Sequence, residues 1–228
     1  MQSITLLRIP DDIKSDYLNL FLANVSEERR QKFTRFVKKD DAYRSLLGEV
    51  LIRSKLSVDI GLNHGEFHFS YNQYGKPSLC NNLKVSFNIS HSGNWVAMLW
   101  SNNDHCLGID VEKIVPIDFQ FATTLFSPQE NKLLASKSGD DQLDYFYQLW
   151  TLKESYTKAL GKGLSFPLDS FSMVHSDKEK WFSPEAIGFQ FKSFRIDRTH
   201  ILSVCSNTDT LPDRIQYVSL SELYESLL

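Results

Sequence analysis

The chain has 228 residues, a formal net charge of -3, 42% hydrophobic and 23% charged residues, which fits a globular protein and excludes a global positive field for nucleic acid. Its three cysteines, Cys80, Cys106 and Cys205, are odd in number and widely spaced, which argues against a disulfide framework and a thiolate zinc site and suits a reducing compartment. No apolar run approaches the roughly 20 residues of a membrane helix, and no basic segment followed by an apolar one opens the chain, so no membrane partner and a cytoplasmic location are expected.

Residues 3–9, rich in Ile, Thr and Leu, predict a strand stopped at Pro10. Asp11 and Asp12 predict the cap of a helix carrying Ile13, Tyr17, Leu18, Phe21 and Leu22 at helical spacing. Ser26 predicts the N-cap of a second helix, with Glu27 and Glu28 where the helix dipole favours anions. The charge then turns basic through Arg29, Arg30, Lys32, Arg35, Lys38, Lys39 and Arg44, and a long helix is expected over 39–57. Such a run reads either as a solvated helix face or as a local phosphate site. Residues 66–70 predict a strand and 72–77 a turn, in which Pro77 biases Lys76 toward extended geometry so that its ammonium projects. Residues 84–89 predict a strand with Val85, Phe87 and Ile89 alternating; it ends in Ser90-His91-Ser92-Gly93, and 95–100 returns as its hairpin partner. Small polar residues at a strand end suit a ligand, although a lone histidine in a turn more often serves structure. No G-x-S-x-G elbow of a serine hydrolase is present.

Polar residues 102–105 mark a boundary, and 105–111 predict the strand that leads into Asp110 and Glu112. Side chains two apart on a strand share a face, so these two acids point one way while Ile109 and Val111 bury. The connection 114–126 is unusually apolar, with Ile114, Val115, Ile117, Phe119, Phe121, Leu125 and Phe126. Ser127-Pro128-Gln129-Glu130 reads as a capping box with proline at the first helical position, which assigns Glu130 to a cap and not to a ligand set. Residues 140–160 predict the longest helix, stopped by Gly161 and Gly163. Within it Glu154 and Lys158 stand one turn apart, and alone they read as a stabilising ion pair. If this helix packs beside the strand, Asp110, Glu112, Glu154 and Lys158 converge, and three carboxylates with room for phosphate oxygens suit Mg²⁺. Strands at 171–174, 186–196, 201–205 and 215–218 close the chain. The succession of serine-capped helix, long helix and strands occurs twice. The expected fold is therefore α+β, with two similar α/β halves, 1–104 and 105–228, related by pseudo-twofold symmetry in one monomer.

Taken together, six blocks resemble the Sfp-type 4′-phosphopantetheinyl transferases, the type that activates surfactin and gramicidin synthetases. They are Arg44-Ser45-Leu46-Leu47-Gly48-Glu49, Tyr74-Gly75-Lys76-Pro77, Phe87 to Gly93, Gly108 to Glu112, Phe126 to Glu130 and Trp150 to Lys158, in the family's order and spacing. The resemblance implies the 4′-phosphopantetheinyl transferase fold, coenzyme A as donor and Mg²⁺ as cofactor. It implies apo peptidyl or acyl carrier protein domains as partners, with holo-carrier protein and adenosine 3′,5′-bisphosphate as products. By the family pattern Arg29, Lys32, Ser45, Ser90 and His91 fall where the 3′-phosphate is held. Gly75, Lys76 and Pro77 fall near the adenine and adjacent phosphates, and Lys158 near the pyrophosphate. Asp110, Glu112 and Glu154 match the metal-binding acids, and Glu154 is the expected base, acting directly or through water. Several relatives have lysine where Arg29 stands and threonine where Ser45 stands, changes that keep the donor chemistry. A coenzyme A or carrier-domain binder without transfer, and a Mg²⁺-dependent phosphoesterase that needs no 3′-phosphate site, are the alternatives. Part of 114–126 is expected to form an exposed rim that docks the apolar helix of the carrier.

Overall fold

The computed structural model describes residues 2–63, 66–80, 83–176 and 180–228, with all their side chains but those of Phe121 and Leu164. The first half runs β1 (Gln2–Arg8), α1 (Ser15–Ala23), α2 (Glu27–Phe33), α3 (Lys39–Ile60), β2 (Phe69–Tyr71), β3 (Pro77–Leu79), β4 (Ser86–Ser92) and β5 (Trp95–Ser101). The second runs β6 (Leu107–Lys113), α4 (Phe119–Ala122), α5 (Pro128–Ala135), α6 (Gly139–Leu160), β7 (Val174–His175), β8 (Trp181–Phe182), β9 (Gln190–Asp197) and β10 (His200–Ser206). β11 (Ile215–Val218) and α7 (Leu220–Glu225) follow.

The repeat is visible in strand order. One sheet reads β11-β1-β5-β4 and a second β6-β10-β9-β8-β7, with β2 and β3 paired apart from both, so the first strand of each half pairs antiparallel with the last strand of its hairpin. The long helices α3 and α6 each have 22 residues and each ends on a left-handed glycine, Gly61 or Gly161. Even their buried ion pairs correspond. Arg53 on α3 pairs with Glu49, which accepts from the backbone N–H of Ser26, the cap of α2. Lys153 on α6 pairs with Glu130, which accepts from the backbone N–H of Ser127, the cap of α5. In each half the short helix is thus tied by its cap to the long one. Lys153 is fully buried and also donates to the carbonyls of Leu168 and Phe171, so its charge is hydrogen-bonded on several sides.

The halves meet along β4 and β6, both edge strands of their sheets. No backbone ladder joins them; instead alternate side chains of β4 reach the free N–H groups of β6. Asn88 Oδ1 accepts from Ile109 at 2.8 Å, Ser90 Oγ from Val111 at 3.3 Å and Ser92 Oγ from Lys113 at 3.1 Å. Residues two apart share a face, which is why this every-second-residue spacing matches the N–H repeat. Behind this seam Ile4, Leu6, Ala97 and Leu99 pack against Ile109, Val111, Leu202 and Val204, all fully buried. A cut at 104/105 falls between β5 and β6, and we propose 1–104 and 105–228 as the two halves. From Ile215 onward the second half returns to the first: β11 runs parallel to β1, and Leu223 and Leu227 enter the core under α3.

Several local expectations change: the strand expected over 186–196 begins at Gln190, the one expected over 171–174 only at Val174, and Ser90 to Ser92 belong to β4 itself. α1 begins at Ser15 with no side-chain cap. Asp12 instead accepts from the backbone N–H of Ile13, ahead of the helix, and from Lys39 and Tyr43 of α3, so its carboxylate ties the approach to α1 onto α3. Residues 66–70 begin with a turn, and the strand there starts only at Phe69.

Candidate active site

α6 lies directly against β6, and Gly108 is the reason it can. A Cβ at Gly108 would stand 1.7 Å from the carbonyl oxygen of Ser155, so only glycine admits the helix backbone at this approach. This contact carries Glu154 and Lys158 to Asp110. Lys158 Nζ lies 2.6 Å from Asp110 Oδ1 and 2.9 Å from Ser90 Oγ. The lysine therefore bonds across to the strand, as the convergence of helix and strand requires, in place of the ion pair with Glu154 that the helix alone suggests. Asp110 is 3% exposed, so it is a buried acid and not a surface one. Glu112 accepts from Ser92 Oγ at 2.7 Å.

These acids strain against their surroundings. Burial raises the Asp110 carboxyl above its ordinary value, opposed by Lys158 and Ser90. Burial, then the nearby Asp110, raises Glu112. Glu154 is pushed up to about 7, by burial first and then by Asp110. Asp110 Oδ2 and Glu154 Oε1 are buried without a hydrogen-bond partner among the described residues. Among those residues no three His, Cys, Asp or Glu side chains are placed to hold an ion as they stand. Yet three carboxylates, two of them with an orphaned oxygen, have the chemistry of a hard-cation site.

Next to the acids is a cavity of about 210 Å³ with a basic wall, lined by Arg29, Lys32, Arg44, Ser45, Gly75, Pro77 and His91 among others. Its charges are held in place. Arg29 is fixed between Glu49 (Nε to Oε2, 3.1 Å) and Ser45 Oγ (2.7 Å), which leaves the guanidinium positioned before a ligand arrives. Arg44 donates to the Gly93 carbonyl at 2.8 Å and holds the turn beyond His91. Desolvation in the cleft, then Lys158, Arg44 and Arg29, keeps the His91 imidazole below its usual pKa. The acid cluster lines a second cavity of about 290 Å³ with Ile89, Ser90, His91, Trp150 and Lys158. Ile89 and His91 belong to both, so the two are one groove. A third, apolar cavity of about 460 Å³ shares Glu112 and Trp150 and is walled by Ile117, Ala122, Leu125, Phe146 and Tyr147.

Of the residues singled out in the sequence, Arg29, Lys32, Ser45, Ser90, His91, Asp110, Glu112, Glu154 and Lys158 all line this groove. Lys76 does not. Its ammonium turns the other way and donates to carbonyl oxygens at the end of α6, leaving Gly75 and Pro77 to line the cavity. The apolar connection is divided: Phe126 is core, Ile117, Phe119 and Leu125 are half-buried, and Val115 is exposed, while the side chain of Phe121 lies outside the described residues. Glu49, Arg44 and Trp150 were not assigned site roles in the sequence. Glu49 stands in the sequence as the last residue of the Arg44–Glu49 block, and its hold on Arg29, 20 residues away, depends on the packing of α2 on α3.

Two family models match the chain: "4'-phosphopantetheinyl transferase, N-terminal" over residues 13–103 and "4'-phosphopantetheinyl transferase superfamily" over residues 106–209. The chain is 41% identical over 206 residues to the 4′-phosphopantetheinyl transferase Sfp of Bacillus subtilis (strain 168), covering 89% of this chain and 91% of that protein. It is 42% identical over 207 residues to the transferase ffp of Bacillus subtilis, covering 90% of each. With the transferase gsp of Aneurinibacillus migulanus it shares 42% identity over 171 residues, 75% of this chain and 70% of that one. At this identity and coverage, with both halves matched in order, the chain belongs to the 4′-phosphopantetheinyl transferase family.

Proposed function

We propose that this enzyme transfers the 4′-phosphopantetheine group of coenzyme A to a serine hydroxyl of an apo peptidyl or acyl carrier protein, and that the groove is its reaction path. The observation that carries the placement is the continuity of the basic cavity with the acid cluster through Ile89 and His91. Arg29, Lys32, Ser45 and His91 would receive the 3′-phosphate, with Gly75 and Pro77 beside the adenosine. Ser90 and Lys158 would meet the pyrophosphate, and Asp110, Glu112 and Glu154 would hold Mg²⁺. The metal when bound would neutralise pyrophosphate charge, as in other phosphoryl transfers.

In the reaction the serine oxygen bonds to the phosphorus nearer pantetheine, and that phosphorus parts from the bridging oxygen. The bridging oxygen keeps the electron pair and leaves as adenosine 3′,5′-bisphosphate. Lys158 is placed to stabilise the charge that grows there. Glu154, its carboxyl near 7 when metal-free, is the group within the cluster suited to take the serine proton, directly or through water. The apolar cavity next to Glu112 would receive the carrier's helix, so that the serine arrives beside the acids. Action as a monomer is part of the proposal. Among the described residues no helix is long and apolar enough to cross a membrane; a cytoplasmic location is part of the proposal.

The test is intact-mass spectrometry of an apo peptidyl carrier domain incubated with coenzyme A and Mg²⁺. One phosphopantetheinyl addition on the carrier serine with matching adenosine 3′,5′-bisphosphate is expected, and EDTA should abolish it. Cleavage of coenzyme A with the carrier unmodified would favour a phosphoesterase instead.

A further inference from the structure

Lys76 is the one residue singled out as donor-binding whose side chain leaves the groove, and where it goes is informative. Its ammonium donates to the carbonyl oxygens of Lys158 (2.6 Å), Leu107 (2.9 Å) and Ala159 (3.2 Å). An ammonium has three protons and no acceptor capacity, so these three bonds use all it has. Two of the carbonyls belong to the last turn of α6, where the helix dipole is negative; that of Lys158 also accepts from the Gly161 N–H at 3.1 Å. The third opens β6, three residues ahead of Asp110.

The turn that carries Lys76 is itself rigid and is fastened to the same place. Asn72 Oδ1 accepts from the N–H groups of Tyr74 and Lys76, both at 2.9 Å, and Gly75 donates to the Asn72 carbonyl at 2.9 Å. Asn72 Nδ2 then donates to the Gly161 carbonyl at 2.8 Å. Contact is close enough that a Cβ at Gly161, which has φ 67°, would stand 2.9 Å from Asn72 Nδ2. One face of the turn, Gly75 and Pro77, lines the basic cavity. Its other face clasps the end of the helix that presents Lys158 and Glu154. Burial pushes the Lys76 pKa down to about 8, the effect of removing an ammonium from solvent, and at neutral pH the group still carries its proton.

We propose that Lys76 is a positioning residue for the transfer reaction, a clasp that holds the donor-binding turn, the end of α6 and the start of β6 in one register, and that it does not bind a phosphate of the donor. The proposal rests on the placement of coenzyme A argued above. Displacement of reacting groups by about 1 Å can cost about 100-fold in rate, so a broken clasp should be read in kcat and not in donor discrimination.

The experiment compares wild type, Lys76→Met and Asn72→Ala, with melting temperature measured on the same preparations. Each is assayed with coenzyme A and with 3′-dephospho-coenzyme A as donors to an apo carrier domain. Wild type should prefer the 3′-phosphorylated donor; absence of that preference would overturn the donor placement whatever Lys76 does. Given the preference, both variants should lose at least about tenfold in kcat, while the ratio of kcat/KM for the two donors stays at the wild-type value. A Lys76→Met enzyme with wild-type kcat, a raised KM for coenzyme A and a diminished donor ratio would overturn the clasp, since a phosphate ligand behaves in that way. If Lys76→Met does not fold, Asn72→Ala decides: a lowered kcat with an unchanged donor ratio supports the clasp, and an unchanged kcat refutes it.

Discussion

Glu154 and His91 show how single groups are tuned by where the fold puts them. The Glu154 carboxyl rises from 4.5 to about 7 because it is buried beside Asp110. In metal-free protein it is therefore protonated in the fold at pH values where the unfolded chain is ionised. Stability is lost as pH rises from 4.5 to about 7, by up to about 3 kcal/mol at roughly 1.4 kcal/mol per unit. Glu154→Gln should remove that dependence. In EDTA, wild type should lose more melting temperature than the variant between about pH 5 and about pH 7.5; parallel changes would refute it. For His91 the sign is opposite in use. Desolvation and three neighbouring cations keep the free imidazole neutral, whereas a bound phosphate favours the imidazolium. Binding of coenzyme A should take up a proton and weaken as pH rises through the pKa of the imidazolium in the complex. Calorimetry in buffers of different ionisation enthalpy reads the proton directly, and an identical uptake in His91→Ala would place it elsewhere.

Among the elements, the connection between β6 and α5 behaves unlike an ordinary loop. Between its buried Phe126 and its exposed Val115, Ile117 and Leu125 are half-buried and wall a cavity of about 460 Å³ beside Glu112. Half-burial leaves apolar area available to a partner without stranding it in water. Ile117→Glu and Leu125→Glu should raise the KM for carrier protein about tenfold or more and leave that for coenzyme A near its wild-type value, since a charge in an interface core costs a few kcal/mol. Both KM values and the melting temperature on the same samples decide it. A large fall in melting temperature in both variants would show packing, and equal loss for both substrates would show a role in the acid cluster.

At the scale of the molecule, the pseudo-twofold repeat is closed by a segment that breaks it. β11 pairs with the outer edge of β1, and α7 places Leu223, 1% exposed, in the core of the first half with Tyr224 stacked on Tyr17 at 4.3 Å. The last residues of the chain thus support the half that contains the basic cavity, although they are furthest from it in sequence. Leu223→Ala should destabilise the protein by about 2–5 kcal/mol, the usual range for emptying a buried leucine site. Urea denaturation measures it; a loss within about 0.5 kcal/mol would mean that the C-terminal segment adds little to the fold.

Much of this was legible in the chain because it depends on local chemistry. The Ser127–Glu130 capping box, the Ser26 cap, the glycine stop at Gly161 and the shared face of Asp110 and Glu112 are set by residues within one turn or two strand positions. Resemblance of ordered blocks added the chemistry that no spacing could supply. What only the tertiary structure decided are the choices among partners distant in sequence. Lys158 had Glu154 one turn away but bonds Asp110 and Ser90, because the close approach at Gly108 brings a buried carboxylate nearer than a neighbour on its own helix. Asp12 left its expected helix cap for Lys39 and Tyr43, and Lys76 left the groove for three carbonyls. A long charged side chain reaches several alternative partners, and local pattern carries no information on which of them the fold will desolvate beside it.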